Sequence, residues 1–99
     1  MPPKNSINID QLDNAANKLR ALAHPMRVAI LEMLYDKKRM NVTEIYNRLG
    51  IQQASASHHL GILKNKKVVE SRRQGKKTFY SINETEMLKV IDCINLCGK

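Results

Sequence analysis

Residues 41–67 read NVTEIYNRLGIQQASASHHLGILKNKK, and the glycine at position 50 separates two runs of helical periodicity too short to stand alone. Asn41 followed three residues later by Glu44 is a capping-box pattern, in which each side chain meets a free backbone N–H at a helix start. The spacing predicts a helix over 42–49 with Val42, Ile45 and Leu49 inward and Gly50 just past its end. A second helix starts within two or three residues and runs over 52–65. At about 100° per residue it carries Ala56, Leu60 and Leu63 on one face, and Ala54, Ser57, His58, Gly61 and Lys64 on or near the other. Two short helices joined by a tight glycine-containing turn form a helix-turn-helix, whose second helix commonly enters the DNA major groove.

The flanking segments have to bury this pair. Residues 8–23 place Leu12, Ala15, Ala16, Leu19, Leu22 and Ala23 at three- and four-residue spacing, the mark of an amphipathic helix. His24-Pro25 interrupts it. Proline suits the first position of a helix, so another helix is expected over 25–35 with Val28, Ile30, Leu31 and Leu34 inward, followed by DKKR as an exposed connection. Further on, the β-prone runs 68–72 and 78–82 flank RRQGKK, which predicts a β-hairpin with a basic tip at 72–77. Asn83 is a plausible N-cap for a last helix, with Glu84 and Glu86 in its first turn where the helix dipole favours acids.

That last helix is apolar around most of its circumference and needs burial on two sides. Together with the first helix it is the expected dimer interface, through Leu12, Ala16, Leu19, Met87, Val90, Ile91 and Ile94. The expected organisation is a short arm, 1–7, and one domain, 8–97. A chain of 99 residues builds only a modest core, and a partner subunit supplements it.

Charge narrows the partners. Seventeen Lys and Arg against nine Asp and Glu give +8, a field that favours polyanions, nucleic acid first. No apolar run approaches the roughly 18 residues of a membrane span, and the N-terminus lacks the apolar stretch of a secretory signal, so a soluble cytoplasmic protein with reduced Cys93 and Cys97 is expected.

His58 and His59 look like a metal pair only in one dimension. Metal ligands on a helix are usually three or four apart, and those positions around the pair hold no second donor that suits a metal. His58 points outward, while His59 lies at the edge of the core face as a hydrogen-bonded imidazole. Gln53, Ser55, Ser57 and His58 can hydrogen-bond phosphates or base edges, and Lys64 adds charge on the same side. Arg72, Arg73, Lys76 and Lys77 would reach neighbouring phosphates or a minor groove. Catalysis has no motif to stand on: no phosphate loop and no activated nucleophile, so a non-enzyme is expected.

The stretches LRALAHPMRVAILEML (19–34) and VTEIYNRLGIQQASASHHLGILKNKKVVESRRQGKKTFYSI (42–82), with the helix that follows, resemble the ArsR/SmtB family of winged-helix repressors over about four-fifths of the chain. The most specific parts are L-A-H-P-x-R at 22–27 and S-x-S-x-H-L at 55–60. The resemblance implies a mainly α winged helix-turn-helix of about five helices and a two-stranded wing. It also implies a homodimer through the first and last helices, one recognition helix per subunit in successive major grooves, and a partly palindromic operator. Metal sensors of this family often carry a cysteine box at the start of the third helix, which here reads MNVTEIY. Others use ligands on the last helix, where only Glu84, Glu86 and Cys97 stand as weak zinc candidates. Thiol sensing by a cysteine of the second helix with one of the last lacks its first partner. The signal, and whether there is one, stays open. The competing reading, a winged-helix module for protein or RNA, fits the lysine-rich surface less well, because protein interfaces tend to deplete lysine.

Overall fold

The computed structural model describes residues 8–97, with side-chain surroundings through Asp92. Its elements are α1 (Ile9–Leu22), α2 (Pro25–Lys37), β1 (Met40–Asn41), α3 (Val42–Leu49), α4 (Gln53–Asn65), β2 (Val69–Gln74), β3 (Lys77–Ile82) and α5 (Glu84–Cys97). This is a five-helix winged helix-turn-helix. The expected boundaries of α3 and α4 hold to within a residue, and those of α3 are set by local caps. Asn41 Oδ1 accepts from the Glu44 N–H at 2.9 Å while Glu44 Oε1 accepts from the Asn41 N–H at 2.9 Å, and Gly50 ends α3 in the left-handed region. Gln52 caps α4 with no side-chain hydrogen bond.

The core is the side of α4 that the periodicity predicts. Ala56, Leu60 and Leu63 are fully buried with Ile30, Leu34, Met40, Ile45, Val68 and Val69. At about 25 cal/mol per Å² of apolar surface, these side chains supply most of what holds α2, α3, α4 and the sheet together. Val28, expected inward, is exposed; α2 turns Ile30 and Leu34 to the core instead. Ala23, expected on α1, lies just past its end and is exposed.

The sheet departs from expectation. It has three strands in the order β1-β3-β2, all antiparallel, where the resemblance implies a two-stranded wing. The added strand, Met40–Asn41, pairs Met40 with Tyr80 and Asn41 with Phe79. Two residues cannot express an alternating pattern, so only the tertiary pairing reveals this strand. The hairpin is also longer than expected. Gln74 pairs with Lys77, which leaves Gly75-Lys76 as a two-residue turn, and Gly75 has φ +63° at the first central position. Arg73, expected past the end of the strand, therefore lies on it with Arg72.

α5 packs against α1, and the contact includes an ion pair. Lys18, only 5% exposed, places Nζ 3.3 Å from Glu86 Oε1 and donates to Asn14 Oδ1 at 3.2 Å. A buried ammonium is tolerated only when its donors are met, and here two of them are. Val90, expected at a subunit interface, is 2% exposed within this chain and already sits beneath α1. Among the described residues, no helix is long and apolar enough to cross a membrane.

Candidate nucleic-acid interface

Two elements bring the predicted residues into view. On α4, Gln53, Ala54, Ser55, Ser57, His58, Gly61 and Lys64 are all exposed, while Ala56, Leu60 and Leu63 anchor the opposite side. The outward side is made of small and polar groups, so a backbone or base edge can approach the helix closely. A Cβ added at Gly61 would meet nothing within 4 Å.

The wing divides its charges between two faces. Cross-strand partners share a face, so the pairs Arg72–Phe79 and Gln74–Lys77 lie on one side and Arg73–Thr78 on the other. Sequence reasoning groups Arg72, Arg73, Lys76 and Lys77, of which Lys76 lies in the turn, and misses Arg39. The Arg39 guanidinium stacks on Phe79 with Cζ 4.0 Å from the ring centroid and donates to Gln74 Oε1. Arg39 thereby joins Arg72 and Lys77 as a third cation on that face. The DKKR run signals an exposed connection; nothing in it indicates which strand its arginine meets.

The two adjacent histidines separate as the helical wheel predicts. His58 is exposed. His59 is half-buried, its Nδ1 accepting from Arg27 Nε at 3.3 Å, with its ring centroid 4.7 Å from that of His24. Arg27 Nη1 also donates to the Ala21 carbonyl at 3.1 Å, and His24 Nδ1 caps α2 by accepting from the Met26 N–H at 3.1 Å. The L-A-H-P-x-R segment is thus the fixture that holds the end of α1, the start of α2 and the inner edge of α4 together. Burial first, then the neighbouring His24 and Arg27 charges, lowers the His59 pKa and disfavours the protonated ring.

On the last helix, Glu84 is exposed, whereas Glu86 is held by Lys89 at 3.2 Å and by Lys18. Hydrogen bonds from those two lysines lower its pKa. Among the described residues, no group of three or more His, Cys, Asp or Glu side chains converges as a metal site. The side chains of Cys93, Ile94 and Cys97 lie outside the described residues. α5 also shows an apolar side that includes Leu88, 58% exposed, which periodicity does not single out, and Ile91, 45% exposed. With Tyr35 and Met87 they line an open groove of about 370 Å³. On α1, Leu19 is exposed, and Leu12 and Ala16 are half-buried.

A helix-turn-helix with an outward polar second helix and a basic β-wing defines a winged-helix DNA-binding regulator. Comparison with known proteins agrees: the helix-turn-helix domain family matches residues 22–72. The transcriptional repressor PagR of Bacillus anthracis is 38% identical over 84 residues, covering 85% of this chain and 84% of PagR. Its crystal structure superposes with a TM-score of 0.75 at 36% identity, over 88% of this chain and 99% of that one. The solution structure of a homodimeric winged helix-turn-helix DNA-binding domain from Mycobacterium bovis gives a TM-score of 0.75 at 26% identity, over 99% and 90%. The repressor SmtB of Mycobacterium tuberculosis is 36% identical over 90 residues, 91% of this chain and 63% of SmtB. The chain belongs to the ArsR/SmtB family of winged helix-turn-helix transcriptional regulators.

Proposed function

We propose that this regulator is a homodimeric repressor, and that residues 8–97 serve as one domain for both DNA binding and dimerisation. It acts by occupying an operator rather than by chemistry on a substrate. Gln53, Ser55, Ser57 and His58 read base edges and phosphates from α4, with Lys64 adding charge along the same side. Arg72, Arg73, Lys76 and Lys77 hold the wing to the backbone, joined by Arg39. The observation that carries this reading is the division of α4 into a fully buried apolar side and an exposed side of small polar groups, with an arginine-rich wing beside it.

Dimerisation is assigned to α1 and α5. The exposed apolar groups Leu88 and Ile91, with Leu12, Ala16 and Leu19 on α1, supply surface that a single small domain leaves uncovered. Both PagR and SmtB are repressors by name, which favours repression as the direction of control. A two-fold dimer places its half-sites about 10 bp apart or a multiple of that. The test is a titration of random and candidate operator duplexes at several salt concentrations. Binding that weakens steeply with salt, and discriminates among sequences, supports the reading; affinity indifferent to salt rejects it.

A further inference from the structure

A second basic feature lies away from the DNA-reading residues. Between α1, the end of α4, the turn at 66–67 and the first turns of α5 is a cavity of about 390 Å³, open on one side, with no apolar residue in its lining. Lys66 and Lys67 line it beside the Lys18–Glu86–Lys89 ion pairs, a formal +3 in a concave site, where low-dielectric walls concentrate the field. Two amides also line it. Asn14 Oδ1 accepts from Lys18 Nζ, and Asn17 Oδ1 accepts from Arg20 Nη1 at 2.6 Å, so each amide oxygen is engaged by a cation and each NH₂ group remains a donor.

The backbone sets Lys67 into the lining in a left-handed conformation, one that Lys38 shares at the end of α2 with φ +75°. Lys67 has φ +65°, and the Val68 N–H returns to the Leu63 carbonyl at 3.0 Å, the closure of a helix C-terminus at which glycine is usual. A lysine occupies that position despite the strain on a side-chain-bearing residue. The end carbonyls of α4 are meanwhile taken up by the N–H groups of Lys66, Lys67 and Val68, which blunts the negative end of the helix.

We propose that this cavity binds a small multivalent phosphate-bearing anion. DNA is the less suitable occupant on distance. Gln53 and Asn65 stand at opposite ends of α4, about 18 Å apart at 1.5 Å per residue. Val69 and Gln74 stand at opposite ends of β2, roughly 17 Å apart. The cavity lies at the common root of both elements, while Gln53, Ser55 and the wing tip lie toward their far ends, and of the proposed DNA contacts only Lys64 stands near it. The site requires nothing of the operator reading and is tested without DNA.

The experiment is calorimetry and amide NMR on the full chain with inorganic pyrophosphate at fixed ionic strength, repeated with adenosine diphosphate to separate a free phosphate from an organic one. Three variants are compared: Lys66→Gln with Lys67→Gln; Lys67→Gly, which relieves the backbone while removing the charge; and Lys76→Gln with Lys77→Gln on the wing. Expected are shifts at residues 14–18, 65–67 and 86–89, with affinity reduced about tenfold or more by the double turn variant. Lys67→Gly is expected to weaken binding without lowering thermal stability, and the wing variant to bind as the parent does. Tighter binding of the diphosphate nucleoside than of pyrophosphate identifies an organic ligand, and the reverse a free phosphate. The proposal is overturned by no binding up to about 10 mM, by shifts confined to residues 53–58 and 72–77, or by undiminished binding in the turn variants.

Discussion

Arg27 Nε donates to His59 Nδ1 at 3.3 Å across 32 positions of sequence, fixing α2 to the inner edge of α4, the helix whose outer edge is exposed and polar. The same guanidinium holds the Ala21 carbonyl at the end of α1. One side chain therefore sets the relation of three helices.

Replacing Arg27 with Ala removes both bonds and leaves two part-buried acceptors without this donor, at a cost of about 1–3 kcal/mol. Urea denaturation measures it. Arg27→Lys should recover only part of the loss, because a single ammonium cannot reproduce the planar two-point geometry. Full recovery with Lys would mean that charge alone matters.

The lowered pKa of His59 links stability to pH. Its native pKa is lowered from 6.5, so the unfolded chain takes up the proton first. The contribution is complete above the unfolded value and is lost as pH falls through it toward the lowered native value. The thermal midpoint should therefore drop as pH falls through about 6.5, and less steeply in His59→Asn, which keeps an acceptor for Arg27. An unchanged slope in that variant would place the pH response elsewhere.

Wing and helix substitutions should separate affinity from specificity. Arg72→Ala or Arg73→Ala is expected to weaken binding to all duplexes and to reduce the salt slope by about one for each phosphate that is no longer neutralised. Gln53→Ala or Ser57→Ala should instead change the ranking of sequences, each bidentate base pairing being worth about 1–3 kcal/mol. Binding arrays at matched salt read both, and sequence preference surviving the helix changes intact would misplace the reading face.

Arg39→Ala should behave as a wing variant although it lies 35 positions from Gln74, its hydrogen-bond partner. It removes a cation from the face of Arg72 and Lys77, together with the stack on Phe79. An affinity loss similar to that of Arg72→Ala, with a stability change below about 1 kcal/mol, is expected for an exposed cation–π pair. A large loss of stability with normal binding would make Arg39 structural only.

Leu88→Lys with Ile91→Lys puts charge on the exposed apolar side of α5 and should convert a dimer into folded monomers, read by sedimentation and circular dichroism. Both side chains are substantially exposed in the subunit, so its core is left intact. A dimer of unchanged stability would move the interface off this face.

Much of the fold is legible in the sequence because it is locally encoded. The capping box at Asn41 and Glu44, the glycine stop at Gly50, Pro25 opening α2 and the Gly75 turn each act within four residues, and the wheel of α4 sorts Leu60 from Ser57 without any partner in view. β1 is not legible, because a strand of two residues has no period. Val28 and Val90 are misassigned because periodicity says which residues are apolar, not which neighbour covers them.

The sequence by itself determined the helix-turn-helix, its basic wing and the outward polar side of α4, since these depend on spacing and local backbone chemistry. Only the tertiary structure decided that Arg39 belongs to the wing, that Arg27 holds His59, and that Lys18 and Glu86 pair between α1 and α5. Those pairings join residues 32 to 68 positions apart, and their partners are chosen by how the core packs rather than by any pattern along the chain.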